Sequence, residues 1–236
     1  MKTVLTVARR ELESYFASPI AYIVTAAFLV VTGYLFSLIL FYSREASLRG
    51  IFANISVLVL IVSPALTMRR LAEEQRTGTI ELLLTSPVRD VEVVIGKFLG
   101  SMGLALGMLA LTLYYPLILF LYGSPERGHI VSGYLGVILL SAAFIAIGLF
   151  ASSLTSNQIV AAVLTFMALL MLWLIGAAAD IASPPVSDIL RYMSVDRYYA
   201  DFTRGVVDSK AVVFFASVVA VFLFAAVRSL EMRRWR

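Results

Sequence analysis

Cysteine is missing from all 236 residues, and histidine occurs once, at His129. Without thiols there can be no disulfides, thiolate metal sites or cysteine nucleophiles. One imidazole is too few for a histidine-based metal site or proton relay. Charge is also scarce: Asp, Glu, Lys and Arg make up 14 % of the chain against 61 % hydrophobic residues, with mean hydropathy +0.93. A soluble domain of this length carries far more charge. The formal net charge of +4 therefore has to be read by position, and it is no sign of nucleic-acid binding. Hydrolytic motifs are absent too, with neither a G-x-S-x-G elbow nor an H-E-x-x-H zinc helix. Gly96-Lys97 is not the end of a phosphate-binding loop, because Val91 stands where that loop needs glycine. The first residues, MKTVLTVARRELESYF, lack an apolar core followed by a small-residue cleavage site, so no cleaved signal peptide is expected.

What is present is hydrocarbon-compatible sequence. Six apolar blocks of roughly 18 to 30 residues are each long enough to cross a bilayer core of about 30 Å as a helix. They are apolar on every face, unlike the short alternating strands of a β-barrel. An all-α polytopic membrane protein is predicted, forming one transmembrane domain over 1–236. Its spans fall near 20–42, 51–68, 91–122, 134–154, 159–179 and 211–227. Residues 1–18 carry Val4, Leu5, Ala8, Leu12, Tyr15 and Phe16 at helical spacing among charged residues, a pattern suited to an interfacial helix. The third block exceeds what a bilayer requires, so it must tilt, break at Pro116 or project beyond the membrane. Gly96, Gly100, Gly103 and Gly107 give it one smooth face for close helix packing, either within the chain or against a second permease. Lys97 beside them is expected to snorkel towards lipid headgroups.

Between the spans, Thr155 to Gln158 reads as a tight turn joining spans four and five into a hairpin. The connection 180–209 holds two short helices, one capped by Ser187 and Asp188 and ending at Met193, the other over Tyr198 to Val207. With both termini inside, twelve of the 19 Lys and Arg residues fall in inner segments and seven in outer ones. The positive-inside rule favours that orientation. The central parts of the spans hold no ionisable residue, which disfavours a pathway for small charged ions. Ser, Thr and Asn54 there are expected to bond back to helix carbonyls. His129 is read as decorating an outer loop.

The one strongly polar insert is 69–90. Arg69 and Arg70 serve as positive-inside anchors, and Glu73, Glu74, Gln75 and Arg76 continue the polar surface. An E-E-x-x-x-R arrangement, as one intramembrane protease family carries, would need arginine at 78, which is Gly78. After Thr77-Gly78, Thr79 can cap a short helix with Glu81 in its first turn, and Ser86-Pro87 stops it. Ile80, Leu82, Leu83 and Leu84 would be costly to leave in water. The leucine face fits either a groove on a partner or the lipid interface.

The run Leu71 to Pro87 resembles the signature loop of ABC type-2 exporter permeases. It is most similar to the gliding-motility and multidrug-type branch, which reads E-E-x-x-x-G-T-I-E-x-L-L-x-x-P. Gly96-Lys97-Phe98 is similar to that family's start of span three, and Asp201, Phe202, Arg204, Gly205 and Asp208 fall in a run similar to its outer F-x-x-G-[VI]-[VI]-D segment. The resemblance implies a non-catalytic permease subunit in a prokaryotic inner membrane, both termini cytoplasmic, working as a dimer with itself or a related permease. Two separate ABC ATPase subunits would bind ATP and Mg, with no cofactor held by this chain. Residues 1–18 would be the connecting helix, 79–85 the coupling helix of the 69–90 loop, and 180–209 the outer re-entrant helices. Glu73, Glu74, Thr77, Gly78, Thr79, Ile80, Glu81, Leu82, Leu83 and Leu84 would contact the ATPase. The cargo expected from uncharged spans is lipid-like or hydrophobic. The alternative is a structural component of a motility or envelope-assembly machine without cargo flux.

Overall fold

The computed structural model describes residues 2–43, 47–77, 89–123 and 125–234. Among these residues the chain is helical, without a strand. In order the helices are α1 (Lys2–Ala17), α2 (Pro19–Ser43), α3 (Arg49–Thr67), α4 (Ala72–Thr77), α5 (Asp90–Leu111) and α6 (Tyr114–Tyr122). They continue as α7 (Arg127–Leu154), α8 (Gln158–Ile181), α9 (Val186–Met193), α10 (Val195–Thr203) and α11 (Ser209–Arg234). Six segments are long and apolar enough to cross a membrane: α2, α3, α5 with α6, α7, α8 and α11.

The bundle is built around α7. In its most apolar stretch 72 % of the residues are buried, against 17 % for α2 and for α8 and 22 % for α11. Helices α3, α5, α8, α10 and α11 all pack against it. Lipid tails are as apolar as leucine, so helices associate in a membrane through close contact rather than hydrophobic exclusion. The sequence of α7 supplies that contact. A β-carbon at Gly148 would overlap the Thr67 hydroxyl of α3, and one at Gly133 would overlap the Phe52 ring. Hydroxyls within the spans bond back to their own helices, as with Ser63 to Val59 O and Ser141 to Val137 O, each 2.7 Å. The α7–α8 hairpin turns tightly, and Asn157 Oδ1 caps α8 by accepting from Ile159 N at 2.9 Å. α7 begins at Arg127, seven residues before the expected start of its span. Ile130, Ser132 and Gly133 are buried there, so packing carries the helix through a stretch that composition reads as loop.

The long third segment does break, but one turn before the proline. Residues 112–113 separate α5 from α6, while Pro116 lies inside α6. Proline lacks the N–H that would bond to the carbonyl four residues earlier, and its ring crowds that oxygen. Here that carbonyl belongs to Thr112. It accepts instead from the Tyr134 hydroxyl at 2.9 Å and from Tyr115 N at 3.0 Å. A neighbouring helix thus satisfies the freed group, as a non-aqueous surrounding demands.

At the end of the bundle remote from the termini, α9 and α10 link α8 to α11. Their limits differ from those expected. α9 starts at Val186 with Pro185 in the cap position and no side-chain cap; Ser187 and Asp188 lie within its first turn. The second helix runs Val195–Thr203 rather than 198–207. Ser194 caps it, accepting from Arg197 N at 3.4 Å. Gly205, at φ +87°, ends it: Val206 N donates to Asp201 O at 3.0 Å and Gly205 N to Phe202 O at 3.2 Å. Those two bonds form a Schellman stop, which needs a left-handed residue at that position.

Tyr134→Phe is expected to lower the stability of the detergent-solubilised protein by about 1 kcal/mol, a typical interhelical hydrogen bond in a membrane protein. Thermal unfolding should show the loss, and Pro116→Ala in the same background should recover part of it by giving Thr112 O a backbone donor.

Candidate functional site

The first helix has one face of Ala8, Leu12 and Tyr15, and that face lies on α5. A β-carbon at Gly96 would fall 2.6 Å from Val7 Cβ, one at Gly100 would fall 2.5 Å from Glu11 Cβ, and one at Gly103 would fall 3.0 Å from a Leu12 methyl. The paired positions advance together, so α1 and α5 run side by side in the same direction. The glycine face therefore belongs to α1 of the same chain over Gly96, Gly100 and Gly103, and is not left for a second permease. Gly107 has open space where a side chain would be and lies beyond this contact.

Close approach carries a carboxylate over α5. Glu11 Oε1 lies 2.7 Å from Lys97 Nζ, and Glu11 Oε2 lies 2.5 Å from Arg70 Nη1. The Lys97 side chain is 2 % exposed, so it does not snorkel; the Arg70 and Glu11 side chains are 10 % and 12 % exposed. Arg70 also donates to Ser14 Oγ at 3.1 Å, and its guanidinium carbon sits 3.5 Å above the Tyr15 ring centroid. A stacked, hydrogen-bonded arginine is more than a topological anchor. The Tyr15 hydroxyl joins the same elements, donating to Leu66 O of α3 at 2.6 Å and meeting Ser101 Oγ of α5 at 2.9 Å. Burial alone would raise the Glu11 carboxyl, but the Lys97 and Arg70 charges and their hydrogen bonds outweigh it and hold the group below its ordinary range. Burial pushes the Tyr15 phenol up, so it stays a neutral donor.

The elbow from α3 into α4 is fixed on its other side. Ser152 Oγ of α7 accepts from Leu71 N and Ala72 N, both at 3.1 Å. Leu71 packs with Val94 of α5 and Ala226, Val227 and Leu230 of α11. The elbow at 70–72 is thus held to the bundle, and in the chain the α4 end and the start of α5 flank residues 78–88.

The predicted site residues divide accordingly. Glu73 is exposed on α4, and Glu74 and Thr77 belong to the same helix. Gly78, Thr79, Ile80, Glu81, Leu82, Leu83 and Leu84 lie outside the described residues. At the opposite end, Phe202 is fully buried against Gly136 of α7, and its carbonyl accepts from Ser132 Oγ. The His129 ring would crowd a β-carbon at Gly205, with atoms at 3.2 Å. His129 itself is in the first turn of α7, its Nδ1 2.6 Å from a Glu126 carboxylate oxygen, rather than on a loop. Asp208 Oδ1 accepts from Lys210 N at 2.9 Å to open α11; Asp201 supplies the carbonyl of the Schellman stop, and Arg204 is exposed. These residues perform folding tasks in a cluster, tied to the core where Tyr199 OH donates to Phe52 O at 2.6 Å.

Glu11, Ser101 and Ser152 are not among the residues singled out from the sequence, and Tyr15 is read there only as part of an apolar stripe. A signal existed for Glu11: it shares a helical stripe with Ala8, Leu12 and Tyr15, the face that α1 buries. Among the described residues, no group of three or more His, Asp or Glu could hold a metal ion.

Residues 17–194 match the family described as ABC-2 family transporter protein. The chain is 28 % identical over 148 residues to the "Probable multidrug ABC transporter permease YbhS" of Escherichia coli K12. That alignment covers 61 % of this chain and 39 % of the relative. The protein of the same description from Escherichia coli O157:H7 matches over the same shares. The aligned part therefore spans well under half the length of these relatives.

Since folding lowers the Glu11 carboxyl below its usual 4.5, its contribution is complete above that value and is lost as pH falls through the folded-state pKa. Thermal unfolding of the purified protein between pH 7 and pH 3 should show this acid-side loss. In Glu11→Gln the loss should be absent, with stability at pH 7 lower by on the order of 3 kcal/mol because two cations are left without their carboxylate.

Proposed function

From the premise that the chain belongs to the ABC-2 family of transporter proteins, we propose that it is the permease subunit of an ATP-driven exporter moving a lipid-like or hydrophobic substrate. ATP and Mg are handled on two separate ATPase subunits, and a second permease, identical or related, completes the membrane unit. The unit sits in a prokaryotic inner membrane with both termini in the cytoplasm, where positive-inside counting places them.

The observation that carries this reading is the anchoring on either side of 78–88. A solvated loop needs no such fixing, yet its flanks are tied through Ser152 to α7 and through Arg70 and Lys97 to α1. Within the loop, residues 79–85 are read as the coupling element: their leucines enter a groove on the ATPase, and the fixed flanks pass the displacement to the spans. A lipid-like cargo fits the membrane segments, whose central parts hold no ionisable side chain. The exposed apolar faces of α2, α8 and α11 are left for lipid and for the second permease.

The test is co-purification of the chain, expressed with its cognate ATPase. Leu83→Asp with Leu84→Asp should abolish recovery of the ATPase while the permease still reaches the membrane, and undiminished recovery would defeat the coupling assignment. In proteoliposomes the complex should move a fluorescent phospholipid or a lipophilic dye when ATP is supplied. ATP hydrolysis without movement of either would favour an assembly role.

A further inference from the structure

Resting on that reading, we infer that Glu11 is a positioning residue that makes α1 and both flanks of the 78–88 segment move as one body.

The argument starts from how the charges are shared. Each Glu11 oxygen serves a different cation: Oε1 takes Lys97, nine positions beyond the segment's end, and Oε2 takes Arg70, eight positions before its start. Arg70 is fixed in orientation by Tyr15 beneath it and Ser14 beside it, both on α1. Lys97 is covered because Gly96 and Gly100 let α1 lie against α5. Pulling either flank from α1 would strip a nearly water-free cation of its carboxylate, a change far costlier than breaking an exposed pair. Arg9–Glu13 on the outer side of α1 provides that contrast, with side chains 81 % and 64 % exposed. One carboxylate therefore does what two independent pairs could not: neither flank can shift relative to α1 without disturbing the partner that also holds the other.

The chain has no cysteine, so introduced cysteines take spin labels without background. Positions Arg10 on α1, Arg76 on α4 and Val91 on α5 are exposed. Pulsed EPR on the full chain in lipid nanodiscs gives the 10–76 and 10–91 distances, and both distributions should be narrow in the parent. Arg70→Gln should broaden 10–76 at least twofold and leave 10–91 narrow, because Lys97 retains its half of the carboxylate. Glu11→Gln should broaden both, while Glu13→Gln changes neither. Unchanged distances in Glu11→Gln would overturn the inference, as would a parent whose 10–76 distribution is already broad. Should Glu11→Gln not fold, Arg70→Gln decides: selective broadening supports the clamp, and no change or broadening of both pairs overturns it.

A second measurement reads the function. In the ATPase complex, ATP with vanadate should shift a label at Arg10 relative to one at exposed Val131 of α7. In Glu11→Gln the Arg76 label should still shift while the Arg10 label stays in place. An Arg10 label that moves as in the parent would count against the inference. The nanodisc distances need no ATPase, so failure to obtain any complex speaks against the proposed function alone.

Discussion

A carboxylate shared between two cations, almost out of water, sets the arrangement at the termini end of the bundle. Desolvating three charged groups costs several kcal/mol for each ion, and mutual attraction returns that only when geometry is good. The Glu11 cluster is therefore a poor source of net stability and a strong source of specificity. At an effective dielectric near 20, each opposite-charge contact at about 4 Å contributes roughly 4 kcal/mol, and separation forfeits it while the desolvation remains. Only one placement of α1, the α3–α4 elbow and α5 satisfies all three groups. The glycines at 96, 100 and 103 are a precondition, since side chains there would hold α1 off and open Lys97 to solvent.

The same logic, applied to neutral groups, governs the rest. In hydrocarbon a backbone carbonyl released from its helix must find another donor. The break after α5 is tolerable because Tyr134 reaches Thr112 O. The elbow after α3 is tolerable because Ser152 accepts from two amides that the helix does not use. The turn after α10 closes on its own carbonyls through Gly205. In each case a polar side chain or a glycine from the sequence stands where the helical ladder is interrupted.

That pattern explains what could be read in advance. The spans were legible because bilayer thickness imposes a minimum apolar run, and the six segments fall close to the expected ones. The proline in the third span was legible as a break, but proline acts on the carbonyl one turn back, so the break is at Thr112. Both signals for α10, Ser194 before it and Gly205 after it, stand in the sequence, and they set its limits at Val195 and Thr203 rather than at 198 and 207. Lys97 was read alone, as a lysine at a span end that would reach for headgroups. Its partner is 86 residues earlier in the chain, on an amphipathic helix where Glu11, unlike Glu13, shares the stripe of Ala8, Leu12 and Tyr15, a signal that says the carboxylate is buried but not what it meets. Of the loop motif Leu71 to Pro87, residues 78–87 lie outside the described residues.

A force applied between α4 and α5, as the proposed mechanism requires, meets two kinds of restraint. The van der Waals contact of α1 on the glycine face is made of many small terms of about 0.1–0.2 kcal/mol per atom pair, and it can slide by small steps. The ion contacts cannot slide: moving Arg70 or Lys97 by an ångström or two leaves a buried charge partly unpaired, and the cost rises at once. Stiff contacts transmit displacement, whereas soft ones absorb it. Since the stiff contacts converge on α1, and α1 continues through Ser18 into α2, the path of least deformation runs from the loop flanks through Glu11 into the first span. That span is also among the least embedded, with 17 % of its apolar stretch buried against 72 % for α7. A peripheral helix joined to a rigid lever can move while the central post stays packed, which is the division of labour that a work-receiving membrane subunit needs.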